Sequence, residues 1–209
     1  MKKTFRLITA IVATFLLVLL CACADNSNSI PDVPAYAPGT LTISFDYERI
    51  SGSASNQWAV WVEDMDGNLV RSLYASRWTA DGGYRTRPDS IALWVEKSGL
   101  ASMSKAEVDA ISGATPRAGE LTYAWDLTNT SGDAVAHGEY KFFVEGTLRW
   151  KNYVLYSGVI AIGDAPVTVE ADAEFIYEAS DRNAALTSES PENAMITAVA
   201  AVYTPAVDD

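Results

Sequence analysis

Arg71, Arg77, Arg85 and Arg87 fall within 17 residues of a chain that otherwise carries an excess of acid, with Trp78 and Tyr84 between them. Guanidinium groups beside aromatic faces suit an anionic ligand that carries a ring. They suit weak ion pairs with an acidic surface equally well, and the sequence leaves both readings open. Asp126, Thr128, Thr130 and Asp133 offer oxygen ligands, but the sixth loop position is not Gly and His137 stands where a bidentate Glu belongs. An EF-type calcium loop is therefore rejected. Asp64-Met65-Asp66-Gly67 fails in the same way and reads as a hairpin turn. His137 is the one histidine and lies beside Gly138 at a strand start with no Ser elbow in the chain, so it reads as a loop residue. An enzyme with its own active site is the weakest reading, since no acid–base pair or nucleophile set is evident.

One grouping is sharper. Asp109-Ala110-Ile111-Ser112-Gly113-Ala114-Thr115 resembles the D-x-x-[ST]-G-A-T motif of extracytoplasmic flavoproteins, in which a flavin transferase joins FMN through its phosphate to the Thr hydroxyl. The resemblance implies covalent FMN on Thr115 and a flavin transferase as partner. Such an acceptor must enter another enzyme's active site, which calls for small neighbours and a pliant backbone; Ser112, Gly113 and Ala114 supply both. Asp109 is expected to hydrogen-bond backbone N–H groups two or three residues on, and Arg117 to lie near the acceptor as a positive charge for the phosphodiester. Asp, Ser and Gly after a helix are also ordinary turn chemistry, which is the competing reading. After the Thr the chain departs from the flavoprotein pattern, with Pro116-Arg117-Ala118-Gly119 in place of a Ser/Thr-rich stretch.

Positioning these residues falls to a chain whose dominant hydrophobic period is two. Leu41, Ile43, Phe45 and Tyr47 alternate with polar residues, as do Trp58, Val60 and Val62. The latter run returns through Gly67 into Leu69–Leu73 as a hairpin. Further strands are expected at 120–125, 139–148, 153–162, 167–177 and 194–203. The pattern predicts an all-β antiparallel sandwich. A helical insertion over 75–119 interrupts it. Pro88 is expected in the first turn of one short helix that Gly99 stops, and Ser104 with Glu107 forms a capping box for a second helix through Ala110. The Trp residues read as core and sandwich-edge packing.

The N-terminus reads as a leader. Lys2, Lys3 and Arg6 precede the apolar run Leu7–Leu20, and Leu20-Cys21-Ala22-Cys23 resembles the lipobox of bacterial lipoproteins. This divides the chain into a signal peptide over 1–22, a lipidated Cys23 with a polar, Pro-bearing tether to residue 38, and one domain over 39–209. Removing the leader leaves 12 basic residues against 27 acidic ones. Nucleic acid is excluded as a partner, because polyanions are repelled. With Cys23 acylated, no thiol remains for disulfides or clusters, and one histidine cannot build a histidine metal site, so no metal is expected.

Over most of 39–163, Val60-Trp61-Val62-Glu63-Asp64, Gly67, Val70, Leu73, the motif, Trp125-Asp126, Gly132, Val135, Gly138-Glu139-Tyr140 and Val144-Glu145-Gly146 resemble a periplasmic family of unknown function, number 2271. The Trp125–Tyr140 portion is similar to the immunoglobulin-like module of the flagellar hook-capping protein. These resemblances imply an Ig-like β-sandwich and, by association with membrane reductases, a redox setting. The reading is a membrane-anchored extracytoplasmic lipoprotein, in the periplasm or at the cell surface, carrying FMN for electron transfer. Its rival is a cofactor-free Ig-like binding or assembly module of the cell envelope.

Overall fold

The structure, a computed structural model, describes residues 39–50, 56–149, 152–176 and 194–206. The expected signal peptide, Cys23 and the tether lie outside them. Among the described residues the strands are β1 (Gly39–Tyr47), β2 (Gln57–Glu63), β3 (Leu69–Ser76), β4 (Ser112–Gly113), β5 (Gly119–Trp125), β6 (Gly138–Arg149), β7 (Asn152–Ile162), β8 (Val167–Glu170), β9 (Asp172–Ile176) and β10 (Ile196–Pro205). They form two sheets, ordered β5-β1-β10-β8 and β4-β3-β2-β6-β7-β9. The result is the β-sandwich with few short helices that the alternation predicted.

The main core lies between the sheets. Leu41, Ile43, Phe45 and Tyr47 enter it from β1, Trp58, Val60 and Val62 from β2, and Phe142 and Val144 from β6. All seven residues of β2 are buried, so the sheet is covered on its outer face as well. The cover is the insertion, built of α1 (Arg77–Ala80), α2 (Ala92–Ser98) and α3 (Lys105–Ile111) with two single 3-10 turns. Ile91, Trp94, Leu100 and Val108 pack there against Ala59, Trp61 and Ala75 as a second apolar cluster.

Buried polar groups pin the insertion to the sheet. Trp94 donates its ring N–H to Ser72 Oγ at 3.0 Å. The backbone N–H groups of Leu93 and Trp94 donate to the Glu145 carboxylate at 3.3 and 2.9 Å, and Ile91 N–H to Thr147 Oγ1 at 3.0 Å. These contacts correct the expectation for Pro88, because the helix begins at Ala92, beyond it. Ile91, fully buried and tied to Thr147, is held at φ 43° and breaks the chain before the helix, a conformation that costs a branched residue about 1–3 kcal/mol.

Two other strand expectations change. The run at 167–177 divides at Ala171, whose N–H goes to Val199 O; β8 pairs with β10 in one sheet and β9 with β7 in the other. Alternation is continuous through such a crossing and does not reveal it. The sandwich is also not wholly antiparallel, since β4 runs parallel to β3.

Candidate functional site

Ser104 opens α3 with the expected capping box. Its Oγ accepts from Glu107 N–H at 3.3 Å, and its own N–H donates to Glu107 Oε2 at 2.7 Å. These bonds favour the ionised Glu107 and lower its pKa. The helix carries Val108 inward onto the second core and delivers Ser112 and Gly113 to the edge of the six-stranded sheet. Ser112 pairs there with Ala75, and Gly113 with Ser76. Residues 114–118 then pass to β5, at the edge of the opposite sheet. Thr115 is half-exposed on this crossing and Arg117 is exposed.

A tyrosine absent from the sequence reading fixes the crossing. Tyr74 shares its hydroxyl proton between the carbonyls of Gly113 and Ala114, at 3.1 and 3.2 Å. Its ring lies so close to the motif glycine that a Cβ at Gly113 would come within 3.0 Å of it. Gly113 is thus set by close approach. Burial pushes the Tyr74 hydroxyl up to about 12, so it stays a donor well into the alkaline range. Trp58 stacks on Tyr74 at 5.6 Å between ring centres, and Tyr123 tilts against it at 5.0 Å. Tyr123 accepts the Trp58 ring N–H at 3.0 Å. Ser76 Oγ bridges the backbone N–H and C=O of Trp58, joining β3 to β2 at the level where β4 docks. The motif backbone therefore rests on an aromatic cluster rooted in the main core.

Asp109 departs from its expected role. Its carboxylate is drawn to Lys105 Nζ at 3.3 Å and Arg77 Nη1 at 3.6 Å, and so ties α3 to α1 instead of holding the loop's N–H groups. Ser112 Oγ is buried without a hydrogen-bond partner among the described residues.

The arginines that are close in sequence are dispersed. Arg71 donates to Asn129 O at 2.8 Å, while Arg85 lies over the Tyr84 ring at 5.4 Å. Arg77 is brought to the motif, because it follows Ser76, which faces Gly113. Trp78 corrects the reading of tryptophans as packing residues: it is 48% exposed beside that junction. Asp126 accepts from the Thr128 N–H and hydroxyl and closes its turn as expected, and these bonds lower its pKa. His137 Nδ1 lies 3.9 Å from Asp164.

A groove of about 530 Å³ runs between Leu69–Leu73 of β3, Ala124–Asp126 and the inner side of α3. Nothing in the sequence pattern foretold it, because it opens between two sheet edges distant in the chain.

Fold and site together define a two-sheet domain that presents one anchored loop where the sheet edges meet. Residues 40–177 match the family described as predicted periplasmic protein (DUF2271), and the chain belongs to that family. No curated protein and no solved structure matches it, so the likeness to the immunoglobulin-like module rests on the residues quoted for it.

Proposed function

We propose that this protein is an extracytoplasmic lipoprotein, anchored through Cys23, that carries FMN covalently on Thr115 and passes electrons between a membrane reductase and an external acceptor. The observation that carries the reading is the motif's geometry: Gly113 and Ala114 are held through their carbonyls by Tyr74 while Thr115 stays half-exposed. An acceptor hydroxyl needs both properties, a fixed backbone and an open approach.

The residues present fit the group. Gly113 lets the backbone run against the Tyr74 ring, Ser112 holds a buried hydroxyl with hydrogen-bonding capacity to spare, and Arg117, exposed two residues after Thr115, brings positive charge to the attachment point. That charge offsets the repulsion of a phosphodiester by a strongly acidic protein. FMN, when bound, supplies one- and two-electron transfer. The chain's own part is to hold the attachment point, balance its charge and keep Thr115 open to the flavin transferase.

Intact mass of the protein from its native host, or after co-expression with a flavin transferase, tests the reading. The expected result is a mass increased by one FMN less water, and complete loss of in-gel flavin fluorescence in Thr115→Ala. Fluorescence that survives Thr115→Ala rules out this acceptor. The anchor is tested separately by Cys23→Ser, which is expected to move the protein from the membrane to the soluble fraction. A variant that stays fully membrane-bound removes Cys23 as the anchor. The exposed Trp78 favours the rival reading, a cofactor-free binding module of the envelope, if native protein carries no FMN.

A further inference from the structure

We infer that the groove between β3, β5 and α3 seats the isoalloxazine ring of the FMN carried by Thr115, with Arg71 donating a hydrogen bond to a ring carbonyl. The inference rests on the reading of Thr115 given above.

The groove exists because two sheet edges stop short of each other. Among the described residues β4 pairs only with Ala75 and Ser76, which leaves β3 without an outer neighbour over Leu69–Leu73, and β5 is the outermost strand of its own sheet. The end of α3 lies alongside, with Ala110 and Ile111 in the groove wall. Its volume of about 530 Å³ falls within the range of roughly 300–1,000 Å³ typical of small-molecule sites. Leu69, Leu73, Met103, Ile111 and Trp125 give it largely apolar walls, as a flat ring system requires.

Chain continuity names the occupant. Thr115 follows Ile111 of the groove wall by four residues, a span of at most about 14 Å, and lies past Gly113, which pairs with Ser76 beyond the Leu73 end of the groove, so the ribityl arm has to run back along β4 for the ring to enter. Charge then orients it. Asp126 and Glu107 also face the groove, against the single cation Arg71, a balance that disfavours a phosphate inside and suits an uncharged ring. The phosphodiester stays outside, at the Thr115 end with the exposed Arg117. Arg71 is aimed by its bond to Asn129 O and by the nearby Asp126 carboxylate, and its other N–H groups make no hydrogen bond among the described residues, which leaves them to meet a carbonyl.

The test uses full-length protein loaded by a flavin transferase, with intact mass to score loading and thermal melts to score folding. Iodide quenching of flavin fluorescence and visible circular dichroism report where the ring lies. In the wild type the quenching constant is expected to be several-fold below that of free FMN, with a clear visible dichroism. Ala110→Trp and Ala124→Trp fill the groove from exposed positions. Each is expected to load fully, to lose the dichroism and to bring quenching up to the level of free FMN; if one fails to fold, the other decides. Arg71→Gln is expected to shift the loaded flavin to a more negative reduction potential. A loaded wild type quenched as readily as free FMN overturns the inference and leaves Thr115 as acceptor, as do filled variants whose flavin stays shielded. Absence of covalent FMN from the wild type overturns the reading of Thr115, and this inference with it.

Discussion

Trp94→Ala is expected to lower stability by about 3–5 kcal/mol, the cost of deleting a fully buried large aromatic side chain. Trp94 sits at the centre of the second core, with Ala59, Trp61, Ile91, Leu100 and Val108 around it. Its removal opens a cavity against the outer face of the six-stranded sheet and leaves Ser72 Oγ without the indole N–H it accepts. The effect reaches the candidate site through packing. Val108 and Ile111 of α3 belong to the same cluster, and α3 is what holds Ser112 and Gly113 beside β3. The variant is therefore expected to lose flavin loading in parallel with stability. Trp78→Ala is the contrast, because Trp78 is 48% exposed and lies outside both core clusters, so its loss is expected to cost clearly less than that of Trp94. Urea melts of the two variants make the comparison. Equal small losses in both would mean that the insertion does not lean on the second core.

That second core shows where sequence reading stops. The alternation of β1 was legible because only one of its faces is buried, with Leu41, Ile43, Phe45 and Tyr47 inward and Thr42, Ser44 and Asp46 more open. The same alternation was seen in Trp58, Val60 and Val62, yet Ala59 and Trp61 between them are buried too, beneath the insertion. Local signals survived: the Ser104–Glu107 capping box and the stop at Gly99 are set by a few adjacent residues, and both are present. β4 had no such signal. Two residues have no period, and their pairing is decided by Ala75 and Ser76, far back in the chain. Tyr74 is hidden for a related reason: the alternation of the returning strand is legible only to Leu73, one residue before the side chain that holds the motif. Of the two readings open for the arginines, the ion-paired one describes Arg77, which meets Asp109, while β3 and the 3-10 turn at Gly83–Arg85 send Arg71 and Arg85 to other neighbours.

A second large effect is expected on raising the pH. Glu145 lies on the outer face of β6, 1% exposed, with Ala59 and Leu155 beside it on the flanking strands and α2 above. Burial pushes its carboxyl up to about 7, although the N–H groups at the start of α2 work against that shift and favour the ionised form; Tyr153 is the other titratable group that interacts with it. Because the folded-state value lies above the ordinary 4.5, the native protein binds more protons than the unfolded chain between about pH 4.5 and 7. Stability from this group is therefore fully present below about 4.5 and is lost as pH rises to about 7, by roughly 3 kcal/mol in all. The exposed carboxyls of Asp64, Glu107 and Asp126 act in the opposite sense but at lower pH, since hydrogen bonds hold their pKa values below the ordinary range. Urea melts at pH 5 and pH 8 are thus expected to differ by about 2–3 kcal/mol, with the protein weaker at pH 8. Glu145→Gln keeps a carbonyl for the α2 N–H groups and cannot ionise. It is expected to flatten this dependence, and an unchanged slope would assign the titration to another group. Because α2 and α3 share the second core through Trp94 and Val108, the same rise in pH is expected to loosen the seat of Ser112 and Gly113 beside β3, so flavin loading by the transferase is expected to fall over the same window in the wild type and to hold steady in Glu145→Gln.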